Sequence, residues 1–425
     1  MLIAQIIIGL LVLLACTVPV GIAIGVLSFA GLAARGIPAI SAIQTVFESL
    51  DSFSLMAVPF YILAGSIMQA GGISQRLVNL ANALIGWLKG GLGGAAVLTS
   101  MFFATISGSS SATTAAVGST TIPAMVAKGY PRNYAAAMVA ASGELGVIIP
   151  PSLPIIIYGL VMNQSIATLF IAGILPGILI GGSLIATSIV TAYVRGFDNV
   201  TRLSLSDWAR GVAVAAWEAI LALMMPIIIL GGIYSGAFTP TEAAVVAVAY
   251  GLVVSLFVYR QLRWRYLGTV FVQAALVSAG ILLIVAFASA LGFFLTISQI
   301  PQQIGAWIGS LTSSPLVFLL IVNVLLFITG MFMETLAAII ILAPILGPIA
   351  TSYGIDPIHF GMVMVVNLAV GMVTPPVGVN LFIVCEVAGI RLDQIIRPLL
   401  LFLGVLIVDI LIVAYVPALS LALVR

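Results

Sequence analysis

The residues best suited to chemistry in this chain are uncharged oxygens. Residues 107–114, SGSSSATT, carry five hydroxyls at Ser107, Ser109, Ser110, Ser111 and Thr113, with a sixth at Thr114. Hydroxyl and carbonyl oxygens suit a hard cation such as sodium, and hydroxyls also suit a carboxylate. A packing role competes, because serine and threonine let apolar helices approach closely. Repetition favours the chemical reading. The hydroxyl run opens at Ser107-Gly108 and is followed by a break that runs from Gly146 to Pro150-Pro151. A second stretch opens at Thr329-Gly330 and runs to Gly371 and Pro375-Pro376. Gly108 and Gly330 stand 222 residues apart, and Pro150 and Pro375 stand 225 apart. Apolar segments interrupted by Gly and Pro at corresponding places in two halves point to a transporter's binding site.

The second opening is less polar, with Thr329, Glu334 and Thr335. Glu334 lies in an apolar run, where an ionisable residue is functional by default, capping or pairing with an arginine being its structural rival. Glu144 is placed similarly, with a plain hydrogen bond inside the helix bundle as its rival. Ser142 and Asn367 each stand eight residues before the first proline of a pair, so both are expected to face a central cavity. The candidate substrate contacts are Ser110, Ser111, Thr113, Ser142, Glu334, Thr335 and Asn367. His359, the single histidine, falls in a predicted loop and is a poor proton relay.

The elements that position these residues must be membrane helices. Of 425 residues, 63% are hydrophobic and 6% charged, against about 25% charged in soluble domains. Only helices and closed barrels satisfy the backbone in lipid. Long apolar runs without two-residue alternation exclude a barrel. An all-α polytopic membrane protein follows, embedded in a lipid bilayer. A net charge of +2, scattered over loops, gives no reason to expect a nucleic-acid partner. Cys16 and Cys385 lie in apolar runs and read as two buried free thiols. No Lys or Arg precedes Arg35, so the N-terminus reads as a retained membrane segment rather than a secretory signal.

In order, residues 1–89 form N-terminal scaffold helices. They include an amphipathic helix over 37–50 with Ile37, Ile40, Ile43, Val46, Phe47 and Leu50 on one face, suited to an interface or a partner. A span follows at 53–70, and Arg76 and Lys89 flank a further one. Residues 90–195 form a first repeat core, with a re-entrant hairpin at 90–127 and a broken helix at 133–162. Lys89 and Lys128 bracket that hairpin on one side of the membrane. Residues 196–314 are connecting and scaffold helices, with a capped helix start at Ser206-Asp207. Tyr259, Trp264 and Tyr266 form an aromatic belt beside Arg260, Arg263 and Arg265. Residues 315–425 form the second core, with a hairpin at 315–350, a broken helix at 357–390 and a C-terminal helix. The turn after hairpin 1 holds Lys128 and Arg132, whereas the turn after hairpin 2 holds Asp356. The far end after the second Pro-Pro carries Arg391 and Arg397, and its counterpart near Ser165 carries no basic residue. This reversed charge bias is the mark of inverted-topology repeats. The Gly21/Gly25, Gly86/Gly90 and Gly177/Gly181 pairs read as helix-packing contacts.

Absences narrow the function. There is no G-x-x-x-x-G-K-[ST] to bind ATP, no H-E-x-x-H, and one histidine cannot build a multi-histidine metal site. No voltage-sensor helix or T-V-G-Y-G filter is present. A membrane enzyme using Glu144 or Glu334 with His359 would need convergent catalytic groups, and the sequence offers none. Two asymmetric closed hairpins suit occlusion better than a channel's continuous pore.

GGIYSGAFTPTEAA (231–244), GIDPIHFGMVMVVNLAVGMVTPPVGVNLF (354–382) and SGSSSATTAAVGS (107–119) resemble the large membrane subunit of tripartite ATP-independent periplasmic (TRAP) transporters. The resemblance covers essentially the whole chain. It implies an elevator-type carrier like those of the ion-transporter superfamily, taking up organic acids with sodium across the inner membrane of a bacterium or archaeon. It implies a small membrane subunit (Q-type), expected as a separate chain, and a periplasmic substrate-binding protein (P-type). It also implies two sodium sites: Ser107 and Ser109 with carbonyls around Gly146, Ile149 and Pro151, and Gly330 and Met333 with Gly371, Thr374 and Pro376. The substrate would be a carboxylate, with C4-dicarboxylates, sialic acid and other sugar or keto acids all open. A stand-alone sodium/carboxylate symporter of the divalent-anion type shares the hairpin architecture and is the alternative.

Overall fold

A computed structural model describes residue 9 and residues 12–13, 16–197 and 204–424. Much of the N-terminal apolar stretch, and Arg202 of the basic loop, lie outside the described residues. Every regular element described is helical, and eight helices among them are long and apolar enough to cross a membrane.

The N-terminal layer holds α1 (Val20–Ala34), α2 (Ala39–Leu50), α3 (Ala57–Ala70) and α4 (Ile73–Ile85). In α2 only Ala42 is buried, while Ile40, Ile43, Phe47 and Leu50 are exposed, so its apolar face is uncovered in the isolated chain. The expected span between Arg76 and Lys89 is instead α4, a 13-residue amphipathic helix. It is too short to cross about 30 Å of hydrocarbon. Cys16 is exposed and Cys385 buried, both free, so one of the two expected buried thiols is not buried.

Next come α5 (Gly91–Ser107), α6 (Ser110–Ala127), α7 (Arg132–Gly143), the single turn α8 (Leu145–Ile148), α9 (Leu153–Val161) and the long α10 (Ile166–Arg195). The connecting helices are α11 (Leu205–Tyr234), α12 (Pro240–Val253), α13 (Trp264–Ile297) and α14 (Ile300–Leu311). The second core repeats the order with α15 (Pro315–Phe332), α16 (Thr335–Ser352), α17 (Pro357–Gly371), α18 (Val379–Ala388) and α19 (Leu392–Tyr415), followed by the turn α20 (Ala418–Leu421). Hairpin, broken helix and long helix thus occur twice. Helix α11 runs the full 205–234 with Ser204 as its cap residue. Ser206, expected at the cap, lies inside the first turn and hydrogen-bonds the Ser204 hydroxyl.

The two repeats share a buried centre. Every residue of α7 from Tyr134 to Gly143 is buried, and so is every residue of α17 from Ile358 to Gly371. Apart from the hydrogen-bonded His359 and Asn367, their sequences, YAAAMVAASG and IHFGMVMVVNLAVG, are apolar or small on all sides, which is what a helix enclosed by others requires. Glycines set the close approaches: Gly25 meets the Phe287 ring, Gly177 meets Ile149 and Gly181 meets Met101.

Candidate functional site

Hairpin 1 turns on two residues. Gly108 ends α5 in the left-handed region, φ +59, and Ser109 is extended and starts α6, its hydroxyl accepting from Ala112 N. Glycine after a helix and serine before one are the strongest stop and start residues. Hairpin 2 turns on Met333 and Glu334, both extended, without a left-handed glycine. The equivalent of Gly108 is therefore Met333, 225 residues on, which matches the Pro-Pro spacing. Thr329-Gly330, expected at the opening, lies inside α15 one turn before the tip.

The broken helices interrupt where proline cannot continue them. Ile149 is extended ahead of Pro150-Pro151, and Ser152 caps α9 by accepting from Ile155 N. The pieces on either side are bent by 41°. In the second half, α17 ends at Gly371 and α18 begins after Gly378, φ +56. Both Pro-Pro bonds are cis.

At the first break, oxygens cluster around the hairpin tip. Ser107 Oγ is 2.8 Å from Thr113 Oγ1, which donates to Ser109 O at 2.8 Å. Leu153 N donates to Gly108 O at 3.3 Å. A Cβ on Gly146 would lie 2.5 Å from Ser109 O, and one on Gly108 would lie 3.0 Å from Pro151 O. Ser107, Ser109, Gly146 and Pro151 are thus brought together. Ile149 packs on Gly177 close by.

At the second break, a Cβ on Gly371 would meet the Gly330 backbone at 2.5 Å, and Gly378 N donates to Met331 O at 3.1 Å. Gly330, Met333 and Gly371 belong to one junction. The Thr374 hydroxyl, one turn from Gly371, donates to Val370 O. Pro376 follows in the same 372–378 link.

Met372 joins the two tips. Ser110 of hairpin 1 and Thr335 of hairpin 2 both direct hydroxyls at its sulfur, at 3.9 and 3.0 Å. Beside them opens a cavity of about 350 Å³. Ser107, Ser109, Ser110, Ser111, Glu334 and Thr335 line it. The rest of the lining includes Ser66 and Gln69 from α3, with Val277 and Ile281 from α13. Helices α6, α9 and α16 all begin at this cavity, so three positive dipole ends face it. Glu334 is its one charged lining residue, and among the described residues its carboxylate makes no hydrogen bond or ion pair.

Three of the expected substrate contacts do not line this cavity. Ser142 is fully buried and bonds Ser100 at 3.0 Å. Asn367 is buried and donates to Asn323 Oδ1 at 2.8 Å. Thr113 is occupied within the tip. The eight-residue spacing misleads because α7 and α17 are enclosed on every side, so no face of either is reserved for a cavity. His359 is not in a loop: it lies in the first turn of α17, buried, with Nε2 donating to Ala414 O and Nδ1 hydrogen-bonded to Ser420 Oγ. That arrangement holds the C-terminal end of the chain and leaves no free nitrogen for proton relay.

Ser66, Gln69, Met372 and Asn380 escaped the sequence reading. Ser66 and Gln69 had a signal, being polar residues three apart on one face of an otherwise apolar helix. Asn380 had none. It donates to Glu144 Oε1 and accepts from Ser111 Oγ at 3.0 Å, linking broken helix 1, hairpin 1 and the start of α18. Glu144 is fully buried, its second oxygen unpartnered.

Over residues 7–419 the chain matches the family described as "Tripartite ATP-independent periplasmic transporter, DctM component". It is 47% identical over 403 residues to the isethionate TRAP transporter permease protein DctMQ of Oleidesulfovibrio alaskensis, covering 94% of this chain and 63% of that protein. The chain therefore spans less than two thirds of that relative's length. To the C4-dicarboxylate TRAP transporter large permease protein DctM of Pseudomonas aeruginosa it is 46% identical, covering 89% and 88%. To the sialic acid TRAP transporter large permease protein SiaM of Vibrio cholerae it is 35% identical, covering 98% and 96%. The crystal structure of the Alcanivorax borkumensis YdaH transporter shares the fold, with a TM-score of 0.63 over 87% of each chain at 18% identity. A multi-pass helical architecture with two broken helices, together with a family match along nearly its whole length, places this chain among the DctM components, the large permeases of tripartite ATP-independent periplasmic transporters.

Proposed function

We propose that the chain imports a small organic anion together with sodium, across the inner membrane of a bacterium or archaeon. A periplasmic binding protein delivers the anion, and a small membrane subunit completes the permease. The observation that carries this reading is the convergence of three helix N-termini and the hairpin hydroxyls on one cavity between the two repeats. N-terminal dipoles and hydroxyl donors suit a carboxylate or sulfonate without any basic residue. At about 350 Å³ the cavity is at the small end for ligand sites. That fits a C4-dicarboxylate or a short sulfonate such as isethionate, the solutes named for two relatives at 46% and 47% identity.

Sodium enters as co-transported cargo, and the donors present fit it. Ser107, Ser109 and carbonyls near Gly146 and Pro151 form a neutral oxygen set at the first break. Carbonyls around Gly330, Met333 and Gly371, with Thr374, serve at the second. Glu334 gives a reason for cation coupling: a carboxylate facing an anion's cavity is repulsive unless positive charge accompanies the substrate. Ser66 and Gln69 belong to the wall against which the hairpins would slide. A Cβ on Gly65 would already lie 3.3 Å from Ile106 O, so that wall is in close contact with hairpin 1. An elevator-like movement of the hairpin-bearing cores against α3 and α13 would then expose the cavity to either side.

The test is uptake into proteoliposomes holding this chain and its small subunit, with the inward sodium gradient and the binding protein varied independently. Uptake requiring both supports the proposal. Sodium-driven uptake without the binding protein would point to a stand-alone symporter, and sodium-independent uptake would remove the coupling. In the same assay Ser109→Ala is expected to raise the sodium concentration for half-maximal uptake by roughly tenfold, the worth of about 1.4 kcal/mol. Loss of its cap bond alone would lower stability by about 1 kcal/mol and leave the sodium response unchanged, so an unchanged response would take Ser109 out of the site.

A further inference from the structure

Four arginines gather at one corner of the molecule, and among the described residues none of them is ion-paired to a carboxylate. Arg76 lies in α4, while Arg260, Arg263 and Arg265 lie in and just after the link between α12 and α13. The link is folded onto the Gly71-Gly72 turn that precedes α4: Leu262 N donates to Ser255 O, and a Cβ on Gly72 would strike Gln261. This brings Arg76 to the same place, its guanidinium stacked 3.5 Å from the centre of the Tyr259 ring. The other contacts of these arginines are equally free of negative charge. Arg76 donates to Gly72 O, Arg260 to Phe257 O, and Arg265 to the Tyr266 hydroxyl. Among the described residues the only ion pair is Arg391–Asp393, in the second core. Glu218 meets this corner through its backbone carbonyl, which accepts from the Tyr259 hydroxyl.

The backbone here is shaped rather than loose. Helix α12 widens into a π-turn over Val254–Val258, and Arg260 adopts the left-handed region, φ +53, which is unusual for a side-chain-bearing residue. Directly adjoining the charges is an uncovered apolar and aromatic surface. Phe257 and Trp264 meet edge to face at 5.9 Å and are both exposed, as are Val258, Phe271 and Val272. The surface therefore pairs a cationic head with an apolar flank, the complement of an anionic amphiphile.

We propose that this corner is a binding site for an anionic phospholipid, its phosphodiester headgroup held by Arg76, Arg260, Arg263 and Arg265 and its acyl chain lying on Phe257, Trp264 and Phe271. The occupant follows from charge complementarity: guanidinium groups match phosphate oxygens, and basic pockets between membrane helices recruit anionic headgroups. The inference is independent of what the cavity transports.

The test uses the full chain together with its small subunit, reconstituted in vesicles of phosphatidylcholine mixed with phosphatidylglycerol, extracted, and weighed with its retained lipids by native mass spectrometry. Phosphatidylglycerol should be retained in preference to phosphatidylcholine. Each arginine changed to glutamine should reduce that preference roughly fivefold, from about 1 kcal/mol for each basic residue near an anionic surface. Arg260→Gln with Arg263→Gln should thus lower it about 25-fold, while Arg391→Gln with Arg397→Gln should leave it intact. Thermal unfolding of each variant separates lipid loss from misfolding, and Arg263→Lys, which keeps the charge, should retain most of the preference. Equal retention of both lipids, or an undiminished preference in the folded double variant, would overturn the proposal. So would loss of the small subunit from the double variant with lipid retention unchanged, because the surface would then belong to a protein partner.

Discussion

Gly371→Ala is expected to suppress uptake severely while leaving a membrane-inserted protein. An added Cβ would lie 2.5 Å from Gly330 Cα, 2.7 Å from Gly330 C and 2.9 Å from Phe327 O. All three are backbone atoms, so no side chain can rotate away and hairpin 2 must lift from broken helix 2. Overpacking of this kind costs about 1–3 kcal/mol. Placed on the docked tip, that corresponds to roughly a fivefold to 150-fold loss of its population. Gly330→Ala should behave alike, since its Cβ would lie 2.6 Å from Leu368 O and 3.0 Å from Gly371 Cα. Gly292→Ala, in α13 with nothing within 4 Å, is the control and should transport normally. Initial uptake rates in proteoliposomes, with size-exclusion profiles to confirm folding, make the comparison. Normal uptake by Gly371→Ala would mean that close docking of this tip is not required.

The second large effect concerns the buried link from Glu144 through Asn380 to Ser111. Glu144→Ala removes the acceptor of the Asn380 amide in a site where both residues are fully buried. Water cannot replace it there, and an orphaned buried polar group costs about 1–3 kcal/mol, to which the vacated volume adds. Thermal stability should fall clearly, and Asn380, the partner of Ser111 in the cavity wall, loses the bond that anchors it. Glu144→Gln keeps an oxygen for Asn380 and should retain most of the stability. A double-mutant cycle of Glu144→Ala with Asn380→Ala should return a coupling of about 0.5–3 kcal/mol. Strict additivity in thermal or denaturant unfolding would show that the two residues do not act as a unit.

How the site was legible, and where it was not, follows from these same residues. Hairpin 1 could be read because its turn uses local chemistry: a left-handed glycine, then a capping serine. Hairpin 2 turns at Met333-Glu334 without either, and the glycine nearby, Gly330, serves a different purpose. It lets two backbones touch, which depends on a partner about 40 residues away in the chain. Taking Gly330 for the turn put the repeat three residues out of register. Ser142 and Asn367 do not line the cavity for a related reason. Helical spacing shows which residues share a face, but a helix enclosed on all sides has no single functional face.

By itself the sequence determined the membrane architecture, the two repeats, the breaks at Pro150-Pro151 and Pro375-Pro376, and the hydroxyl-rich first tip. These follow from apolar runs, from proline's missing N–H and from capping preferences, all of which act within a few residues. Only the tertiary structure decided which oxygens share a site. It placed Met372 between the hairpin tips, set Ser66 and Gln69 opposite them, joined Glu144 to Asn380, and brought Arg76 beside the arginines at 260, 263 and 265. Each is a contact between segments far apart in sequence, and its geometry is set by how the helices pack.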